Sequence, residues 1–242
     1  MKPIVYDLYC GLGGWSEGFL AEGYLCVGFD TEAHDYGNGG YPGELVLRDV
    51  RSIHGSEFAD ATVIVASPPC QEPSYRAMPW KRAKALNVIG PPHAFIELFN
   101  ACFRIQREAS VAAGRYIPLV VENVKGAQPW VGKASAHYGS YYLWGDVGMI
   151  GNRVVAGALR MGAGIAPTKA YKVPGFRFDG LSHGSFQSAA VKQHGSGAIW
   201  FDTGIASYSS RSRSRKEASA IIAKIPFPLA QHIARCFNPE VI

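Results

Sequence analysis

Long apolar runs are missing: nowhere do apolar residues continue for the roughly 18 positions that a membrane span needs, so a soluble protein is expected. Charged residues are sparse, 18% against 48% hydrophobic, which excludes a disordered chain. Cysteine is also scarce. The five thiols, Cys10, Cys26, Cys70, Cys102 and Cys236, form no C-x-x-C pair and no Cys/His cluster at zinc spacing, so neither a metal centre nor a disulfide framework is expected. There is no internal repeat. The opening "MKPIVYDLYCGLGG" enters a strand and a glycine turn at once, which leaves no room for a signal peptide and makes a cytoplasmic location the expectation. The net charge of +5 suits a polyanionic partner but is common in proteins without one.

What is present is alternation. "PIVYDLY", Pro3 to Tyr9, reads as a strand running through "CGLGG" into a helix from Trp15 to Glu22. "YLCVGF", Tyr24 to Phe29, is a second strand followed by Asp30, nineteen positions after Gly11, near the interval at which dinucleotide-type folds place a carboxylate on a ribose. "ELVLRDV" (Glu44 to Val50), "ATVIVA" (Ala61 to Ala66), "YIPLVVENV" (Tyr116 to Val124) and "SYYLWGDV" (Ser140 to Val147) supply further strands. The helical spacing of Phe95, Leu98, Phe99, Cys102, Phe103 and Ile105 predicts a long helix over Pro91 to Gly114, with Cys102 on its core face. The fold class that follows is α/β, a doubly wound, mostly parallel sheet with helices on both faces.

Cys70 stands apart from the other thiols. It follows Pro68 and Pro69, which bar a helix, on a loop just past a strand's carboxyl end. A small core cysteine is the plain alternative. Asp30, Asp49, Cys70 and Glu122 nevertheless all fall at the carboxyl ends of different strands, where open α/β sheets collect their ligands, and this makes Cys70 a candidate nucleophile. From Gly145 to Gly204 the texture changes to twelve glycines in sixty residues with scattered aromatics and little periodicity, which reads as a small, loop-rich second region. "SSRSRSRK", Ser209 to Lys216, reads as a solvated basic loop, with phosphate contact as its competitor. In "IPFPLAQHIARCF" the positions of Leu229, Ile233, Ala234 and Phe237 predict a final helix that packs back on the sheet. The expected organisation is a catalytic and cofactor-binding domain over 1–148, a recognition region over 149–217 and a returning segment over 218–242.

These residues resemble the cytosine-C5 DNA methyltransferases. "DLYCGLGGWSEGF" is similar to the family's first motif, Asp30 and "RDV" to its second and third, "SPPCQEPS" to its Pro-Cys-Gln loop and "VVENV" to its Glu-Asn-Val motif, in the family's order. "IAKIPFPLAQHIA" resembles the closing motif, and "RKEAS" is a faint match to the motif that supports the recognition domain. No Gln-Arg-x-Arg motif follows "VVENV", which leaves Arg153 and Arg160 as candidates for its role. The short recognition region is similar to that of enzymes encoded by phages and prophages.

The resemblance implies a Rossmann-like methyltransferase that uses S-adenosylmethionine and no metal, acts as a monomer and methylates carbon 5 of a cytosine flipped out of duplex DNA. Cys70 would add as thiolate to carbon 6, and Glu122 would stabilise the charge at ring N3. The cofactor would be held by Asp7, Tyr9, Gly11, Gly13, Gly14, Asp30, Asp49 and Pro68. Within that set the glycines let the backbone approach the methionine part, Asp30 takes the ribose hydroxyls and Asp49 the adenine amino group. Gln71, Ser74, Arg76 and Asn123 would contact the target, and the loop Gln71 to Ala85 would close over it. The competing readings are an RNA cytosine methyltransferase, although the Cys-Phe-Thr stretch of such enzymes is absent, a catalytically silent DNA-binding homologue, and a nicotinamide dehydrogenase, which leaves the Pro-Cys-Gln loop without a task.

Overall fold

The computed structural model describes residues 2–37, 39–69, 93–139, 141–149 and 213–239. Its centre is one seven-stranded sheet in the order β3-β2-β1-β4-β5-β7-β6. The strands are β1 (Ile4–Leu8), β2 (Leu25–Asp30), β3 (Glu44–Leu47), β4 (Val63–Ala66), β5 (Leu119–Asn123), β6 (Ala136–Tyr138) and β7 (Tyr141–Gly145). The first five run parallel, while β7 is antiparallel to both β5 and β6. The doubly wound α/β expectation therefore holds.

Burial explains the composition of the central strands. Every residue of β4, "VIVA", and of β5, "LVVEN", is buried, because parallel strands covered on both faces need apolar residues at successive positions rather than alternate ones. Alternation survives in which core each residue enters. Ile64, Ala66, Leu119 and Val121 join one cluster with helix α2 (His93–Ala113), while Val63, Val65 and Val120 join the other with helix α1 (Gly14–Ala21) and helix α4 (Phe227–Phe237). Cys102 is fully buried in the α2 core.

Helix α4 returns onto α1 by packing and by polar ties. Leu229, Ala230, Ile233, Ala234 and Phe237 are buried there. The Tyr24 hydroxyl donates to the Ala234 carbonyl at 3.0 Å, and Arg235 Nε donates to Glu22 Oε1 at 2.9 Å. The connection into α4 lies so close to α1 that a β-carbon on Gly14 would stand 2.6 Å from the backbone nitrogen of Ile225 and 2.7 Å from its carbonyl oxygen. Backbone cannot yield as a side-chain tip can. Gly14→Ala is expected to destabilise the fold by about 1–3 kcal/mol, read as a lower urea midpoint at unchanged m.

One expectation needs correction. The basic stretch Ser209 to Lys216 is not a loop throughout, because helix α3 (Arg213–Ala223) begins within it. Its sequence, "RSRKEASAIIA", is rich in helix formers, and Lys216 is drawn onto the sheet domain by a 2.6 Å ion pair with Glu32. The strand expected over Ser140 to Val147 is present as β7, and it pairs in a hairpin with β6, whose three residues are too few for a period to register.

Candidate active site

The strand order places the candidate residues in a row. Reading across the carboxyl edge, Asp49 follows β3, Asp30 ends β2, Tyr9 to Gly11 follow β1, Ser67 and Pro68 follow β4, and Glu122 and Asn123 end β5. β1 is flanked by β2 and β4, so the row crosses the point where the strand order reverses, the usual ligand crevice of open α/β sheets.

On the β1–β3 side, Tyr9 has φ 59°, the one non-glycine residue with positive φ among the described residues. Such a conformation costs energy and is held by context. Here the Tyr9 hydroxyl donates to the Leu98 carbonyl of α2 at 3.0 Å. The Asp30 carboxylate accepts the Gly11 N–H at 3.0 Å and the Thr31 N–H at 2.7 Å, with His34 Nε2 at 3.6 Å. Although burial opposes it, these donors hold the Asp30 carboxyl below the usual range, so it stays an anion. Asp49 caps the 3-10 turn Val50–Ser52 through the Arg51 N–H at 2.9 Å, and the Arg51 guanidinium pairs with it at 2.6 Å.

The glycines divide. Among the described residues a β-carbon on Gly11 would meet nothing within 4 Å, whereas one on Gly13 would collide with Pro42 and one on Gly14 with Ile225. Open space over Gly11, flanked by the Asp30 anion, suits the close approach of a ligand, while Gly13 and Gly14 serve internal packing. Asp7 is wholly buried within β1, facing α1, where it accepts from the Ser16 hydroxyl at 2.9 Å, and Ser16 in turn bonds the Tyr41 hydroxyl. Burial raises the Asp7 pKa well above the usual carboxyl range. Its second oxygen has no partner among the described residues, an orphaned polar atom beneath the glycine turn.

On the β4–β5 side the Glu-Asn pair and the Ser-Pro pair are stitched together. Asn123 Nδ2 donates to the Pro68 carbonyl at 2.7 Å, and Asn123 Oδ1 accepts the Val124 N–H at 2.9 Å. Asn123 is thereby committed to holding the start of the Pro-Pro-Cys segment. The Glu122 carboxyl is buried, and burial pushes its pKa up to about 8 against a lowering influence from the Ser67 hydroxyl. A carboxyl in this state keeps a proton at neutral pH and can donate it. Cys70, Gln71, Ser74, Arg76, Arg153 and Arg160 lie outside the described residues. Ser67 and Trp15 escaped the sequence reading because neither residue type signals chemistry unless its partner is known.

The sequence profile described as C-5 cytosine-specific DNA methylase matches residues 4–128, just over half of the chain and the whole of the row. The chain belongs to this family. S-adenosylmethionine is its cofactor, and the open Gly11 turn beside the Asp30 anion is a place that fits it. No curated protein matches the chain. Solved structures similar to it include the Dnmt2 methyltransferase of S. pombe, at 19% identity over 53% of this chain and 36% of that one, with a TM-score of 0.35. The DNMT2 of Spodoptera frugiperda is similar at 15% identity over 53% and 37%, with a TM-score of 0.32. The 16S rRNA (adenine(1408)-N(1))-methyltransferase of Catenulisporales acidiphilia is similar at 14% identity over 52% and 54%, with a TM-score of 0.29. The chain thus spans little more than a third of the length of the two Dnmt2 structures. Among the described residues no helix is long and apolar enough to cross a membrane, and no His/Cys/Asp/Glu group could hold a metal.

The methylase family's cofactor supplies a direct test of the row. Asp30→Ala is expected to weaken S-adenosylmethionine binding by about 10–100-fold in calorimetry, since hydrogen bonds to a charged group are worth roughly 1.5–3 kcal/mol. Asp49→Ala should cost less, because that carboxylate is more exposed and already paired with Arg51. Unchanged affinity in both variants would move the cofactor elsewhere.

Proposed function

We propose that the protein is a DNA (cytosine-5-)-methyltransferase that works through a covalent cysteine adduct. The observation that carries this reading is the junction of β4 and β5: a buried glutamic acid that keeps its proton to about pH 8, next to an asparagine clamping the Pro-Pro segment that leads into Cys70. Cytosine carbon 5 is a weak nucleophile. The Cys70 thiolate forms a bond to carbon 6, the ring's electron pair moves toward N3, and Glu122 gives N3 its proton. When bound, S-adenosylmethionine supplies an electrophilic methyl group for the activated carbon 5. Loss of the carbon-5 proton to water then lets the carbon–sulfur bond break, Cys70 leaves as thiolate, and N3 returns its proton to Glu122.

The remaining assignments follow from this reading. Tyr9, Gly11, Asp30 and Asp49 hold the cofactor, Asp7 supports the turn from below, and Pro68 forms part of the wall between cofactor and base. Gln71, Ser74 and Arg76 contact the target strand, and residues 149–217 form the recognition region. An excess of five positive charges is compatible with a phosphate backbone as partner. The deciding experiment offers the purified protein radiolabelled S-adenosylmethionine with unmethylated duplex DNA, or with RNA. Label in 5-methylcytosine of DNA supports the proposal. Label in RNA alone would make it an RNA enzyme, and label in neither would make it a silent homologue.

A further inference from the structure

We propose that Ser67 is a positioning residue for Glu122, acting through a relay that starts at the Trp15 indole. The inference rests on the reading of Glu122 as the group that faces the target base.

Trp15 sits in the first turn of α1 and is buried; its Nε1–H donates to Ser67 Oγ at 3.0 Å. An indole N–H can only donate, whereas a hydroxyl has one proton and two lone pairs. With one lone pair of Ser67 taken by Trp15, the hydroxyl proton is free for an acceptor, and the neighbouring acceptor is the Glu122 carboxyl, because Ala66 and Val121 are register partners of the parallel β4–β5 pair and Ser67 and Glu122 are the residues that follow them. Toward the ionised Glu122 carboxylate, which can only accept, the relay runs Trp15 to Ser67 to Glu122. Ser67 cannot drift, because its own N–H donates to the Leu8 carbonyl at 3.1 Å and the next residue, Pro68, is held by Asn123 at 2.7 Å. Successive residues of β5 thus reach successive residues after β4.

Among the described residues, the groups acting on the Glu122 carboxyl are the Ser67 hydroxyl and the Tyr141 phenol of β7. Burial raises the Tyr141 pKa, so the phenol stays neutral and contributes no charge at working pH. The Ser67 proton is then the group that favours the ionised carboxylate and limits how far burial can raise its pKa. Against burial, the larger influence, it helps to set the pH at which Glu122 loses the proton it needs. Because Trp15 follows the glycine turn directly, the same contact ties the helix at the cofactor site to the base-facing carboxyl.

The test is a carboxyl-carbon NMR titration of the full chain labelled at its glutamate side chains, with Glu122→Gln identifying the resonance, run beside the pH profile of methyl transfer. Ser67→Ala is expected to raise the Glu122 midpoint from about 8 by about one unit, and Ser67→Thr, which keeps the hydroxyl, to restore it. If Ser67→Ala does not fold, Trp15→Phe removes the donor that orients the hydroxyl and should move the midpoint in the same direction by less. An unmoved midpoint in a folded variant overturns the relay. A midpoint that moves while the pH profile of methyl transfer stays in place upholds the relay and instead removes Glu122 from the chemistry.

Discussion

Cys70→Ser is expected to lower methyl transfer by roughly a thousandfold or more while leaving S-adenosylmethionine binding near normal. A serine hydroxyl is far less ionised near neutral pH than a thiol of pKa about 8.5, so the bond to carbon 6 would not form at a useful rate. The adduct can be caught. A target cytosine with fluorine at carbon 5 accepts the methyl group but has no proton there to lose, so the carbon–sulfur bond cannot break by elimination. In the presence of S-adenosylmethionine, a denaturation-resistant protein–DNA complex should form and map by peptide mass to the segment holding Cys70. Cys102→Ser should form the complex normally if it folds, because Cys102 is sealed in the α2 core, where burial raises its pKa and keeps it a thiol. An adduct on any other cysteine, or none on DNA that the enzyme does methylate, would overturn the proposed role of Cys70.

Glu122→Gln is expected to slow methyl transfer by about a hundredfold or more with cofactor affinity unchanged, since the lost proton donation acts in the transition state. The same substitution should affect stability in the opposite sense. Unfolded, Glu122 has the ordinary value of 4.5, whereas in the fold burial raises it to about 8. Between those values the native state binds more protons than the unfolded chain, so the contribution of Glu122 to stability falls as pH rises from about 4.5 through about 8. Glutamine removes that loss, so the variant should gain on the wild type in denaturant midpoint across this window. The wild-type rate should decline above about pH 8, where Glu122 gives up its proton. Near-normal turnover in Glu122→Gln would exclude Glu122 from the mechanism, and the stability gain separates a catalytic loss from a folding one.

Much of the row at the carboxyl edge is legible in the sequence because its signals are local. "ATVIVA" must be a covered strand, Asp30 closes "LCVGFD" and Glu122-Asn123 close "LVVEN", so these polar groups are carried to one edge. The contacts these residues make within the fold are less legible. Of the three glycines of the turn, Gly11 alone lies open among the described residues, while Gly13 and Gly14 are required by Pro42 and by Ile225, which lies on the returning segment. Asn123, expected to contact the target, spends its amide on Pro68 and on its own neighbour, Val124. Asp7, assigned by the resemblance to the cofactor, is turned by the period of two along β1 under α1 onto Ser16.

What the sequence by itself determined is the order and type of the elements of the sheet domain, the family motifs and the strand ends that bear them, because hydrophobic period and turn chemistry act over a few residues. Only the tertiary structure decided that β7 returns antiparallel to β5, that α4 locks onto α1 through contacts such as Tyr24 to Ala234, 210 residues apart, and that Ser67, bonded to Trp15, follows β4 in register beside Glu122. Those contacts join segments far apart in the chain. Their geometry, and with it the proton that Glu122 keeps, depends on how the two cores close around the sheet, a property of packing that no local pattern encodes.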